Sequence, residues 1–267
     1  MRVIGVDLAW SSREDGRSRT GLCEVEDGHV VRSERTRTND DDEIVQWIDT
    51  GARDDVLVAF DAPLVVTNPG GCRGCERVVA DAYRREEAGP YPANLALVGD
   101  PPRAWTLADR LGLCVQPGAI GRGPLRAAIE VYPHPAQVVL IGLDRSLKYK
   151  GKRGRSVASR RAAFGRLFAF LEGLVSADPP LATTSSSAWA DLLARFAEAQ
   201  ANPALDVVED ELDAYVCAYV GLYHLRWAGT RSWVVGDGEC GYIVIPVDDE
   251  HGLRIRKAAE ARRVPMS

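Results

Sequence analysis

Three strand-length apolar segments in close succession restrict the fold of this chain more than any other feature. They lie at residues 2–8, 20–26 and 30–37, and Asp27-Gly28 between the last two is a tight-turn signal. Strands that follow one another through short connections usually pair with their neighbours in a sheet. The chain is therefore predicted to begin with a three-stranded antiparallel meander.

A helix and a continuous apolar run follow the meander. The polar residues 38–41 resemble a helix cap, and Ile44, Val45 and Ile48 give the following helix an apolar side. Residues 55–60 are apolar almost throughout and are bounded by turn signals, which is typical of a strand buried on both faces. We therefore predict a fourth strand that joins the sheet in its interior.

The remaining chain alternates irregular stretches with helices. Further elements are predicted as a helix at residues 76–87, a strand at 124–131, helices at 156–175, 188–199 and 205–227, and a hairpin of residues 233–235 and 242–247. This order indicates an α/β fold with an RNase H-like mixed sheet, three antiparallel strands plus parallel ones, flanked by helices. The length suits one domain over residues 1–267, with insertions at about 62–124 and 142–204.

Acidic residues stand where two of the predicted strands end. Asp7 closes the first strand and Asp61 closes the fourth; if these strands are adjacent and parallel, both carboxyl groups lie at one edge of the sheet. Asp210 and Asp213 open the last long helix and are three residues apart, so they share a face of it. Small residues on that face would let the helix approach the sheet and bring all four carboxyl groups together.

Such a cluster of carboxylates predicts a metal site. Carboxylate oxygens select hard cations such as Mg²⁺ or Mn²⁺, and without a cation they repel one another. Two ions about 4 Å apart can stabilise both the attacking and the leaving oxygen of a phosphodiester. We expect Asp7 to bridge two ions, Asp61 to hold one, and Asp210 and Asp213 to hold the other. Each aspartate alone has a structural alternative, in a turn or at a helix start.

Two further residues near the predicted edge have alternative roles. Glu130 lies at a strand end and could be another catalytic acid or ligand, or a buried charge paired with Arg73, Arg84 or Arg126. His134 lies between two prolines, where its imidazole could carry a proton; the alternative is an exposed histidine in a loop.

A basic segment within the second insertion could contact phosphate groups. Gly151 and Gly154 interrupt it, and the alternative is a solvated surface loop. We predict Arg73, Lys148 and Lys150 as the residues that orient a substrate phosphate beside the carboxylates. The segment comprises Arg145, Lys148, Lys150, Lys152, Arg153, Arg155, Arg160 and Arg161.

Composition narrows the class of protein. A net charge of −5 argues against a protein that coats nucleic acid over its whole surface, although it permits a local basic groove. No signal peptide or membrane-length apolar run is present, so we expect a cytoplasmic protein without a membrane partner and with reduced cysteines. Cys72 and Cys75 could supply half of a zinc site or form a turn into the following helix. The oligomeric state stays open.

Five motifs are spread over nearly the whole chain: GVDLAW at residues 5–10, FDAPL at 60–64, EVYP at 130–133, DELDA at 210–214 and GYIVIP at 241–246. They resemble the motifs of the domain-of-unknown-function family 429, which is described as predicted nucleases of RNase H fold. The DELDA segment also resembles the terminal metal-binding helix of Holliday-junction resolvases, whereas the acidic charge of the chain departs from the basic face of those enzymes.

The resemblance implies a metal-dependent nuclease that acts on nucleic acid or another phosphodiester substrate. Two other classes are compatible with the fold. A non-catalytic binding module would keep its partner when Asp7 or Asp61 is replaced by Asn. An ATP-dependent phosphotransferase would need a second lobe and glycine-rich nucleotide motifs, and neither is visible in the sequence.

Overall fold

The computed structural model of the protein describes residues 1–10, 19–49, 55–119 and 125–267. Its centre is a five-stranded mixed sheet in the order β3-β2-β1-β4-β5, and a separate hairpin is formed by β6 and β7. The strands are β1 (Arg2–Asp7), β2 (Gly21–Glu26), β3 (His29–Arg35), β4 (Val56–Phe60), β5 (Arg126–Glu130), β6 (Ser232–Asp237) and β7 (Gly241–Pro246). The expected α/β class, the antiparallel meander and the final hairpin are confirmed.

The register of the sheet decides which residues meet at its carboxyl edge. In the antiparallel pair, Asp7 of β1 is opposite Gly21 of β2, and in the parallel pair Val6 of β1 is opposite Phe60 of β4. β5 continues the parallel arrangement next to β4. All five residues of β4 are buried, as the continuous apolar run predicted. The strand expected over residues 124–131 corresponds to β5. Pro124 lies outside the described residues.

The helices surround this sheet. They are α1 (Asp41–Asp49), α2 (Gly74–Ala82), α3 (Leu95–Val98), α4 (Arg103–Arg110), α5 (Pro133–Ile141), α6 (Val157–Gly173), α7 (Ser187–Glu198), α8 (Asn202–Trp227) and α9 (Asp249–Arg262). Within the described residues, no helix is long and apolar enough to pass through a lipid bilayer.

Several helices differ from the prediction, and the short helices α3 and α4 were not predicted individually. The helix expected over residues 76–87 ends at Ala82, after which the chain turns and Glu87 adopts a positive φ of 56°. Pro133, two residues after the strand predicted at 124–131, begins α5, because proline is tolerated in the first turn of a helix. α9 was not predicted; the carboxylate of Asp248 caps it by accepting a hydrogen bond from the His251 backbone.

Candidate active site

A cleft of about 360 Å³ opens where β1 and β4 end. Asp7 is the last residue of β1, and Asp61 follows β4 with its backbone N–H donating to the Val6 carbonyl at 2.8 Å. The parallel pairing of the two strands thus places two carboxyl groups in the same cleft. Other residues lining it include Trp10, Arg73, Glu87, Tyr91, Glu130, Tyr132, His134, Lys148, Lys150, Lys152 and Arg155.

Close packing of α8 against the sheet brings Asp213 to the carboxylates of the strands. A Cβ atom on Gly5 of β1 would lie 1.9 Å from the Ala214 carbonyl oxygen, and one on Gly21 would lie 1.8 Å from the Asp210 carbonyl oxygen. Neither position tolerates a side chain, so glycine there permits the helix backbone to touch the sheet. The expected approach of the helix is confirmed.

Asp213 lies fully buried, within electrostatic range of Asp7 and Asp61. Its Oδ1 accepts a 2.5 Å hydrogen bond from the Tyr149 hydroxyl, which itself accepts one from Gln137 Nε2 at 2.8 Å. The Lys150 ammonium approaches Oδ2 at 2.8 Å, but this oxygen accepts no hydrogen bond within the described residues. The contact is therefore an ion pair without hydrogen-bond geometry, and one carboxylate oxygen keeps unused acceptor capacity.

Lys150 is the cation at the centre of the carboxylates. Burial by itself would lower the pKa of this lysine, but the charges of Asp213, Asp7 and Asp61 outweigh it and hold the pKa well above its usual range. The side chain is 25% exposed and lines the cleft. Its ammonium is therefore protonated at neutral pH and can be reached from solvent.

Asp7 and Asp61, which we call the floor of the cleft, both have raised pKa values, so their ionisation costs free energy. Burial raises the pKa of Asp61 to about 7; Lys150 lowers it and Asp213 raises it further. Burial likewise raises the pKa of Asp7 well above its usual range, with Lys150 again opposing and Asp213 adding to the effect. One ammonium does not balance the cluster, so the site favours the uptake of protons or of another cation.

Asp210 occupies a different position from the one expected. It lies in the third turn of α8 instead of at the helix start, and it does not line the cleft. Its carboxylate accepts a hydrogen bond from Arg35 Nε on β3 at 2.6 Å. Burial raises its pKa to about 6 although Arg35 lowers it. Asp210 thus borders the cluster and is held by a guanidinium partner.

Glu130 and Arg73 form a buried ion pair along one wall of the cleft. The two guanidinium nitrogens of Arg73 lie 2.8 and 2.5 Å from the Glu130 carboxylate, and Arg73 also donates to Glu76 at 2.9 Å. The Leu64 N–H donates to Glu130 as well. Of the partners considered for Glu130, the structure selects Arg73. Because Arg73 is only 3% exposed and fully engaged, a substrate phosphate would have to compete with two carboxylates for it.

Four residues of the basic segment form another part of the cleft lining, which we call the basic wall. Lys148, Lys150, Lys152 and Arg155 all line the cleft; Lys148 also pairs with Glu87 at 2.7 Å. Two arginines of the segment instead support the structure, since Arg160 is fully buried against the Tyr149 carbonyl and Arg161 donates to backbone carbonyls. The first part of the segment therefore lines the cleft, and Arg160 and Arg161 at its C-terminal end attach it to the rest of the protein.

His134 is a half-buried residue in the first turn of α5, so its expected place in an exposed loop is wrong. Burial and the neighbouring cations, Lys150 first among them, lower its pKa well below the usual range. Its Nδ1 has no hydrogen-bond partner within the described residues. The imidazole is therefore neutral, and it is a weaker base than an ordinary histidine.

The two cysteines of the predicted knuckle are free thiols near the first turn of α2. Cys75 is buried, which raises its pKa to about 12. Throughout the described ranges, no three His, Cys, Asp or Glu side chains are placed together as ligands of a metal ion. The structure thus provides no partners for a zinc site at Cys72.

The matching family model covers residues 5–239, which is most of the chain and includes Asp7, Asp61, Glu130, Asp210 and Asp213. The protein belongs to the DUF429 family. The description of this family is "protein of unknown function". No curated protein and no solved structure matches the chain.

Three residues that position the aspartates of this DUF429 protein were not singled out from sequence. Tyr149 and Gln137 orient the Asp213 carboxylate, and Arg35 holds Asp210. Tyr149 lies between Lys148 and Lys150, which were already predicted to bind substrate, and this position in the sequence could have pointed to it. Gln137 and Arg35 act across long sequence separations, and no local pattern predicts such partners.

Proposed function

We propose that this DUF429 protein is a divalent-cation-dependent phosphodiester hydrolase, the reaction of a nuclease, with an RNase H-like fold. The observation that carries the proposal is that one cleft is lined by both acidic and basic side chains. Asp7 and Asp61 form an acidic floor, while Lys148, Lys152 and Arg155 line a basic wall. A phosphodiester bound through a metal ion needs both: carboxylates for the cation and basic groups for the phosphate oxygens.

The sheet order supports the RNase H-like part of the proposal. In an RNase H-like sheet, the first and fourth strands are adjacent and parallel, and a late helix carries acids to their carboxyl ends. Here β1 and β4 pair in parallel, and α8 brings Asp213 beneath Asp7 and Asp61.

The donor chemistry of the floor fits a divalent cation. Asp7, Asp61 and Asp213 offer hard oxygen ligands, and Asp213 Oδ2 accepts no hydrogen bond from the described residues. When bound, a Mg²⁺ or Mn²⁺ ion would favour ionisation of the attacking water and offset charge on the phosphate. A second ion, with Asp210 among its ligands, stays a prediction, and the Arg35 contact would have to be given up for it.

The remaining residues of the cleft suit substrate binding. Lys148 and Lys152 line the cleft, where their ammonium groups could hold the phosphate in position. The neutral imidazole of His134 lines the same cleft and could orient the attacking water by accepting a hydrogen bond at Nδ1. Glu130 and Arg73 form a further part of the lining and hold each other in place.

The test is hydrolysis of labelled single-stranded, duplex, hybrid and branched oligonucleotides, and of a small chromogenic phosphodiester, with Mg²⁺ or Mn²⁺. Wild type is compared with Asp7→Asn and with Asp191→Asn, an exposed aspartate of α7 as the matched control. We expect cleavage by wild type and the control, and a loss of at least about a hundredfold in Asp7→Asn.

The outcome separates the proposal from a binding module. Oligonucleotide binding that is unchanged in Asp7→Asn, without turnover by clean wild-type protein on any substrate, would refute a hydrolase. Cleavage of the small phosphodiester alone would retain the reaction and exclude a polymer as substrate.

A further inference from the structure

The ammonium of Lys150 lies among the carboxylates that were predicted to hold a metal ion. It is 2.8 Å from Asp213 Oδ2 and interacts electrostatically with Asp7 and Asp61. As the side chains stand, no three described acids, histidines or cysteines are arranged as metal ligands. A metal ion at these carboxylates therefore requires side chains of the cluster to move, and the positive charge of Lys150 opposes its approach.

The charges of the surrounding acids suit one divalent ion. Arg35 neutralises Asp210 and Arg73 neutralises Glu130, through hydrogen-bonded guanidinium contacts. Within the described residues, Asp7, Asp61 and Asp213 have no arginine ion pair, and the ammonium of Lys150 is the cation that approaches them. Without that ammonium, their hard oxygens would be free to turn towards one Mg²⁺ or Mn²⁺ ion.

The geometry allows the side chain of Lys150 to move while its backbone stays in place. Arg155 donates to the Lys150 carbonyl at 2.7 Å, and Arg160 donates to the neighbouring Tyr149 carbonyl at 2.6 Å. Among the described residues, the ammonium makes an ion pair to Asp213 that lacks hydrogen-bond geometry. Rotation of the flexible methylene stem into the cleft would release it.

We propose that Lys150 is an exchangeable counter-ion of a site for one divalent cation. This inference rests on the proposed function. It adds that one ion binds, and that the ion displaces the ammonium of Lys150. Binding of Mg²⁺ or Mn²⁺ moves the ammonium from Asp213 into the cleft, on the side of Lys148 and Lys152. There it adds to the positive charge that receives a substrate phosphate.

The first experiment is calorimetric titration of Mn²⁺ into wild type, Lys150→Met and Lys257→Met. We expect one ion per chain, with affinity at least about tenfold higher in Lys150→Met because the competing charge is gone. Lys257→Met is the control, since Lys257 is an exposed lysine of α9 that does not line the cleft; its affinity should stay within about twofold of wild type.

A second measurement uses the wild-type protein and does not depend on the folding of a variant. Lysines are acetylated with an activated ester, with and without Mn²⁺, and the modified sites are quantified by mass spectrometry. We expect Mn²⁺ to increase the labelling of Lys150 several-fold relative to Lys148. Labelling that is unchanged or lower with Mn²⁺ would overturn the exchange.

The outcomes also separate this proposal from the proposed function. One bound ion with equal affinity in wild type and Lys150→Met would reject the counter-ion role and leave the hydrolase intact. Two bound ions would reject the single site and support the two-ion enzyme. No binding of Mn²⁺ to either protein would remove both proposals.

Discussion

Replacing Asp61 by Asn is expected to stabilise the metal-free protein at neutral and alkaline pH. Burial raises the pKa of Asp61 from 3.8 to about 7 in the folded state. The folded protein therefore keeps this proton over a pH range in which the unfolded chain has lost it. Stability must fall as the pH rises from about 4 to about 7, and the loss is complete above pH 7. The pKa values of Asp7 and Asp210 are raised too and act in the same direction.

The size of the effect follows from the pKa of Asp61. A tenfold change in proton affinity corresponds to about 1.4 kcal/mol, so a rise from 3.8 to about 7 corresponds to about 4 kcal/mol. The residue is partly exposed, and solvent screens its charge. We therefore expect Asp61→Asn to gain about 2 kcal/mol at pH 8, which corresponds to a Tm increase of about 4–8 °C for a domain of this size.

The assay is thermal unfolding followed by circular dichroism in the presence of EDTA at pH 5 and pH 8. Asp61→Asn should exceed wild type in Tm at pH 8, and the difference should shrink to about a third at pH 5, because the unfolded chain is already ionised there while the folded protein keeps the proton. Asp191→Asn should follow wild type at both pH values. Added Mn²⁺ should stabilise wild type more than Asp61→Asn, because the variant has lost a ligand. An Asp61→Asn protein that is less stable than wild type at pH 8 would refute the electrostatic reasoning.

Two further substitutions test how the cleft is built. Gly5→Ala places a Cβ atom 1.9 Å from a carbonyl oxygen of α8, so we expect a loss of at least about 3 kcal/mol of unfolding free energy in urea, or no soluble protein. A variant as stable as wild type would show that α8 does not lie so close. Arg73→Ala leaves Glu130 buried without its partner, and urea unfolding should show a loss of about 3–5 kcal/mol. A loss of activity with unchanged stability would instead assign Arg73 to the substrate phosphate.

The part of the site formed by neighbouring strands could be predicted from sequence. Asp7 and Asp61 each follow an apolar run, and the parallel pairing of β1 with β4 brings any residues at those positions together. Asp213 was placed correctly by the small residues on its helix face. These predictions succeed because strand order and helical periodicity are regular, and the position of a residue in a strand or helix determines the side to which its side chain points.

Predictions that depended on pairing between distant side chains were less complete. Asp210 shares a helix face with Asp213, yet Arg35 draws its carboxylate towards β3. Lys150 was assigned to a substrate phosphate, whereas the structure places its ammonium on Asp213. A sequence shows how many cations are available but not which carboxylate each one meets, because that depends on the packing of loops against the sheet.

The type of each cation explains which carboxylates remain available to a ligand. Arginine binds a carboxylate through several N–H groups in a planar fork, and the two arginines here hold Asp210 and Glu130 in directional hydrogen bonds. Lysine carries a point charge on a flexible stem, and Lys150 meets Asp213 without hydrogen-bond geometry. Acids held by arginine are therefore fixed in directional contacts of the fold, whereas the acid paired with lysine is the one that we propose to exchange its partner for a metal ion. The raised pKa values of Asp7 and Asp61 lower folding stability at neutral pH, and the same two residues are the ones we propose for the chemistry.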